Sequence, residues 1–168
     1  MKSISLLLLI SVLFVGCSSK KSDKELFDDG QSFIQQQKYP EAAMSFEDLI
    51  NNYPESSLAP NALSQLASIY QNKQIKNLSE KESLEKAIQL FKKLHDKYPT
   101  SEYAASALFM AGFIYANELQ NFDEAKKCYQ QFLKEYPDDE LAASAQAELD
   151  NMGLSPEEIL QKRMAKEK

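Results

Sequence analysis

The chain has little of the chemistry that enzymes and metal sites use. Its 168 residues contain no tryptophan, one histidine, two cysteines and four glycines. The single histidine, His95, has no second histidine or closely paired cysteines with which to hold a metal ion, and no glycine-rich phosphate loop or nucleophile elbow occurs. We therefore predict a protein that is not an enzyme and that uses no cofactor and no metal.

Positive charge and long apolar runs are also scarce. The chain has 19 Lys and Arg against 25 Asp and Glu, a net charge of −6, which argues against nucleic acid as a partner. After residue 17 no apolar run approaches the ~20 residues that cross a bilayer. Few glycines and abundant Ala, Leu, Gln, Glu and Lys favour an all-α fold. We expect His95 to lie partly exposed near a helix end, and Cys128 to be a small buried hydrophobic side chain.

The amino-terminal segment has the pattern of a signal peptide. Lys2 supplies a positive charge, and the run from Ile4 to Val15 is broken only by two serines. Twelve helical residues rise about 18 Å, too little for roughly 30 Å of hydrocarbon. The segment predicts a signal core rather than a membrane span.

The end of this segment, Leu13-Phe14-Val15-Gly16-Cys17, resembles the lipobox of bacterial lipoproteins, with Phe14 where leucine is usual. The resemblance implies a signal peptide over residues 1–16 and acyl chains on Cys17 that anchor the protein. Because Ser18 rather than Asp follows, it also implies the outer membrane, with the domain facing the periplasm. An ordinary secretory signal is the alternative. The polar residues after Cys17 predict a flexible lipidated tether over 17–23.

Three matched segments define the rest of the chain. Each ends in a Tyr-Pro dipeptide, and alanine stands twelve residues and an aromatic ring eight residues before each proline. The dipeptides are Tyr53-Pro54, Tyr98-Pro99 and Tyr136-Pro137, the alanines Ala42, Ala87 and Ala125, and the rings Phe46, Phe91 and Tyr129. A small and a large residue four apart share one helix face, and the proline disfavours helix at the tyrosine before it. The pattern predicts three helix pairs.

Gly30, Ala42, Phe46 and Pro54 resemble the tetratricopeptide repeat, a 34-residue helix pair. Eight extra residues fall around Lys73–Lys81, and one extra residue falls in the third hairpin. The first helices are expected at 25–37, 57–72 and 101–119, and the second helices at 40–52, 79–97 and 121–135. We expect an all-α solenoid over 24–152, closed by a capping helix at 140–151, and a tail over 153–168 with a short helix starting near Ser155.

The Tyr-Pro-x-Ser turns and the paired alanines after them are similar to those of bacterial envelope tetratricopeptide-repeat proteins, notably the carboxy-terminal domain of YbgF and the BamD-type outer-membrane lipoproteins. The resemblance implies a scaffold for envelope proteins or peptide segments, in outer-membrane protein assembly. Coordination of Tol-Pal and peptidoglycan is the close alternative. A lipoprotein that binds a small ligand or glycan is a more distant one.

Partner segments of this family bind along the first helices. Over the expected ranges these helices contain no Lys or Arg, so the groove predicts an apolar or amide-rich partner rather than a clamped carboxylate. The groove positions carried over from the family pattern are Phe27, Gln31, Ile34, Ser64, Ser68, Gln71, Phe109, Phe113 and Asn117. The alternative is that the three phenylalanines simply pack within the stack.

Overall fold

The computed structural model describes residues 20–166, so the predicted signal peptide and Cys17 lie outside the described residues. The first three helices are α1 (Asp23–Gln35), α2 (Tyr39–Asn52) and α3 (Ala59–Gln71). They are followed by α4 (Glu80–Lys97), α5 (Ala104–Phe113) with a π turn (Ile114–Glu118), α6 (Phe122–Glu135), α7 (Ala142–Asn151) and α8 (Pro156–Lys166). From α1 to α7 each helix packs on the next, which confirms the predicted solenoid of three helix pairs with an added helix at its end.

Alanines and rings hold each pair together as the repeat pattern predicts. Ala42, Ala87 and Ala125 are fully buried, as are Phe46 and Tyr129. A Cβ at Gly30 would stand 2.5 Å from the Phe46 ring, so only glycine allows α1 and α2 to approach this closely. The offsets read from the sequence therefore give the correct register of the core.

The turns after the second helices are longer than predicted. The hydroxyls of Ser56 and Ser101 accept hydrogen bonds from the backbone N–H two residues ahead, at 3.1 and 3.2 Å. The chain therefore makes an extra turn before α3 and α5 begin, two and three residues later than expected. Asp139 makes the same bond to the Leu141 N–H at 2.9 Å, so it lies in the turn and α7 begins at residue 142 rather than 140.

The first helix begins earlier than predicted, at Asp23 instead of Glu25. Ser22 and Glu25 form a capping box, in which the serine hydroxyl accepts from the Glu25 N–H and the glutamate accepts from the Ser22 N–H. Ser79 and Glu82 form the same Ser-x-x-Glu box at the start of α4. The helix therefore begins one residue before the domain boundary expected at 24.

The insert of the second repeat is divided between a loop and a helix. The connection from α3 to α4 has eight residues, against three in each of the other two hairpins. In addition, α4 begins seven residues before Ala87, whereas α2 begins three residues before Ala42. Ile75 and Leu78 of the loop pack against the core, so the insert is more than a polar loop.

The single extra residue of the third repeat is taken up by the π turn. The Leu119 N–H donates to the Ile114 carbonyl, five residues back, at 3.0 Å. The Asn121 N–H donates to the Tyr115 carbonyl at 2.7 Å. One residue added to a helix turn widens it in this way, so the hairpin still closes on three loop residues.

Among residues 20–166 no helix has both the length and the apolarity needed to cross a bilayer. The tail helix α8 starts at a Ser155–Glu158 box and stays largely apart from the stack, with Leu160 and Met164 exposed.

Candidate partner-binding surface

The predicted groove residues all lie on the first helices, which together form one side of the stack. We call this side the first-helix face. Eight of the nine side chains are half-buried and Asn117, in the π turn, is exposed. They form an open surface, which suits an extended or helical segment better than a small enclosed ligand.

The first-helix face is neutral in its central part. Helices α3 and α5 contain no charged residue at all. The prediction of a face without cations needs one correction, because α1 begins early enough to include Lys24, which pairs with Asp28 at 2.6 Å. At the other end, Glu118 of the π turn pairs with Lys73 at 3.2 Å. The centre of the face has no charged side chain and offers apolar, hydroxyl and amide groups to a partner.

The three phenylalanines of this face have different surroundings. Phe27 packs edge-on against Phe46 with ring centroids 5.8 Å apart. Phe109 contacts Tyr129 and Phe132 at 5.5 and 5.9 Å. These two rings therefore support the stack while remaining half exposed. Phe113 lies outside the set of described hydrophobic residues that pack on the core, so its ring is the one most available to a partner.

A large cleft lies on the opposite side, between α4 and the π turn with the start of α6. It has a volume of about 1310 Å³, and Leu84, Ile88 and Leu119 supply its apolar lining. Charged side chains of both signs surround it, including Lys92 and Glu124. Sequence reasoning missed this cleft, although the insert that lengthens α4 was the signal for it.

His95 is buried, with 6% of its surface exposed, so the expectation of a partly exposed side chain was wrong. Its Nδ1 lies 2.9 Å from Asp96 and its Nε2 lies 2.8 Å from Glu135, which joins α4 to α6. The two carboxylates face opposite edges of the ring and do not converge on one point. Within residues 20–166 no group of three acidic, histidine or cysteine side chains could hold a metal ion.

Cys128 is buried, as predicted, and burial raises the pKa of its thiol. A raised pKa leaves little of the reactive thiolate. Cys128 therefore acts as a packing residue of the core.

The family of the chain follows from these observations together with its sequence. The family model described as Tetratricopeptide repeat matches residues 30–56, 61–101 and 106–139, more than half of the chain. The chain belongs to the tetratricopeptide repeat family. Such repeats are typically non-catalytic modules for protein–protein interaction, and this chain is a protein-interaction module of that class.

One solved structure gives the same fold. The N-terminal domain of stress-induced protein-1 (STI-1) from C. elegans is similar to this chain with a TM-score of 0.59 and 18% sequence identity. The likeness covers 76% of this chain and 94% of that domain. At this identity the likeness shows the fold alone. A comparison with curated proteins finds no match.

Proposed function

We propose that this protein is a lipid-anchored scaffold whose first-helix face binds an uncharged, partly apolar segment of a protein partner. The observation that carries the proposal is the neutral centre of this face, where α3 and α5 present no charge and the half-buried Phe113 is not among the described residues that pack on the core. The lipobox-like sequence at Cys17 supports an anchor at the periplasmic side of the outer membrane.

The absence of charged side chains from α3 and α5 determines which partner segment the first-helix face can bind. A charged side chain placed there loses water and finds no opposite charge in return, which costs free energy. Apolar side chains gain by burial against Phe113 and the half-exposed Phe109, and Ser64, Ser68 and Gln71 can bond an amide or a backbone group. A neutral segment with apolar anchors is therefore the best match.

The role proposed for this scaffold is in outer-membrane protein assembly. Its support is the combination of Tyr-Pro-x-Ser turns, paired alanines and a lipidation pattern, as in BamD-type lipoproteins. A small-ligand receptor is less well supported, because the first-helix face is open and the chain has no tryptophan to form a sugar platform.

The test compares the half-buried Phe113 with the exposed Phe122. Phe113→Ser removes the ring from the first-helix face, and Phe122→Ser makes the same change on α6, where Phe122 is 41% exposed. The partner captured by the wild-type protein is identified by crosslinking in cells, and its affinity for each variant is measured with purified proteins. We expect Phe113→Ser to weaken binding about thirtyfold, equivalent to roughly 2 kcal/mol for a central anchor, and Phe122→Ser to leave it unchanged.

Both variants must keep the wild-type helicity and melting temperature. Loss of binding by folded Phe122→Ser, with binding kept by Phe113→Ser, would show that the partner does not use Phe113 as an anchor and would refute the proposal.

A further inference from the structure

The chain just before α1 is held by the first Tyr-Pro turn. The Tyr53 hydroxyl donates to the Lys21 carbonyl at 2.7 Å, and the Lys20 ammonium lies 5.1 Å from the centre of the Tyr53 ring. Ser56, in the same turn, donates to the Asp23 carboxylate at 2.5 Å. Residues 20–23 thus make specific contacts across more than thirty positions of sequence.

The same bond recurs one repeat further on. The Tyr98 hydroxyl donates to the Pro54 carbonyl at 2.7 Å, so each of these tyrosines reaches back to the chain that precedes the first helix of its own repeat. Lys21 occupies the place that Pro54 occupies in the next repeat. Residues 20–22 were expected to form the last part of a flexible tether. They instead take the position before α1 that the first Tyr-Pro turn takes before α3.

This contact shortens the distance that the anchor can span. Only four peptide units separate Cys17 from Lys21, and even a fully extended chain of that length reaches no more than about 14 Å. A tether that was free as far as residue 23 would have had six peptide units and a reach half as long again. If lipid is attached at Cys17, Lys21 and Tyr53 must stand close to the lipid headgroups.

We infer that the edge of the solenoid formed by Lys20–Ser22 and the turn Tyr53–Ser56, here the repeat-one edge, rests on the lipid leaflet. The inference rests on the proposed acylation of Cys17 but goes beyond it, since it assigns a fixed orientation. The repeat-one edge lies at helix ends, whereas the first-helix face lies along helix sides. A partner segment therefore reaches the first-helix face without displacing the membrane contact.

The charge along this side of the molecule agrees with that orientation. Lys20, Lys21 and Glu55 stand at the repeat-one edge, where Lys21 also pairs with Asp29 at 2.6 Å, while the last Tyr-Pro turn carries Asp138, Asp139 and Glu140. Within a Debye length of the surface, anionic headgroups therefore repel the three carboxylates of the last turn more strongly than the mixed charges of the repeat-one edge. The contact is thus expected at the first repeat, with the acidic last turn further from the lipid.

The experiment measures the distance of two sites from the membrane. The acylated protein carries Cys128→Ser and either Glu55→Cys at the repeat-one edge or Asn77→Cys in the α3–α4 loop, at the opposite ends of the helices. Since lipid occupies the Cys17 sulfur, only the introduced thiol takes a fluorophore. Energy transfer to acceptor headgroups is then recorded in vesicles of phosphatidylethanolamine and phosphatidylglycerol.

We expect position 55 to lie closer to the acceptors than position 77 by about 20 Å, the length of a 14-residue helix. Four residues of Gly and Ser inserted between Ser19 and Lys20 lengthen the tether without touching the fold, and should make the two distances nearly equal. Tyr53→Phe removes the hydrogen bond to the Lys21 carbonyl and should also reduce the difference between the two distances.

The outcomes separate the two proposals. Protein that carries no lipid and does not float with vesicles contradicts the anchor itself. Protein that floats but gives equal distances, or a shorter distance at position 77, keeps the anchor and overturns the orientation. An unchanged distance difference in both the insertion and the Tyr53→Phe variants also overturns it.

Discussion

At the scale of single residues, Tyr98 and Tyr129 have phenol groups in opposite situations. The Tyr98 hydroxyl donates to the Pro54 carbonyl and links two turns. The Tyr129 hydroxyl is buried with no hydrogen-bond partner among the described residues, and burial raises its pKa. The first two repeats have phenylalanine at the position of Tyr129. A buried polar group without a partner costs free energy that phenylalanine would not cost.

Removing each hydroxyl should therefore change stability in opposite directions. We expect Tyr129→Phe to raise the free energy of unfolding by about 1 kcal/mol, and Tyr98→Phe to lower it by about 1 kcal/mol. Urea denaturation of the two variants beside the wild type measures both changes. If Tyr129→Phe were less stable than the wild type, the Tyr129 hydroxyl would have a hydrogen-bond partner, such as a buried water. The interpretation that this hydroxyl is unsatisfied would then be wrong.

The sequence correctly predicted the burial of residues at positions where only a small side chain fits. Ala42 and Ala125 are fully buried because helices cross there, and their offsets from proline predicted this. His95 could not be placed in the same way, because its burial depends on Glu135, forty positions later on another helix. A polar residue near a helix end is exposed or buried according to what packs against it, and that partner is not local.

At the scale of elements, helix existence was predictable and helix ends were not. Each second helix ends at its Tyr-Pro dipeptide, since proline restricts the residue before it. The starts of α3 and α5 depend instead on a side-chain bond within the turn, from Ser56 and Ser101, and the same serines could equally have capped a helix. The π turn had a signal in the extra residue of the third hairpin, but counting cannot tell a wider helix turn from a longer loop.

The contact between α4 and α6 should make part of the stability depend on pH. Hydrogen bonds from Gln131 and from His95 hold the pKa of Glu135 below its ordinary value. A carboxylate with a lowered pKa stabilises the fold fully above the ordinary pKa of about 4.3, and this contribution is lost as the pH falls through the lower folded-state value. Lys134 and Tyr136 also neighbour this carboxylate, which is 40% exposed, so we expect an effect of at most about 1 kcal/mol.

Glu135→Gln keeps the size of the side chain and removes its charge. The variant should lose less stability than the wild type between about pH 5 and pH 3, because the missing carboxylate has nothing to protonate. The matched change Glu140→Gln, at an exposed position to which no described side chain donates, should leave the wild-type slope. Identical slopes for Glu135→Gln and the wild type, measured by urea denaturation across this range, would show that the α4–α6 contact does not depend on the charge.

At the scale of the whole molecule, the two sides of the solenoid differ in chemistry. The first-helix face is neutral at its centre, with half-exposed rings, while α4 and α6 are rich in lysine and border the charged cleft. The sequence predicted a face without cations, because repeat register alone assigns a residue to the first or the second helix. It did not predict the cleft, which depends on how far α4 extends beyond its neighbours.

The most direct test of the binding side is a photo-crosslinking residue placed on each side in turn. One protein carries it at Ser68, in the middle of the first-helix face, and the other at Gln89, in the lining of the cleft. After irradiation of intact cells, we expect a covalent adduct with one partner at position 68 and none at position 89. The same partner attached at position 89 and absent from position 68 would contradict it.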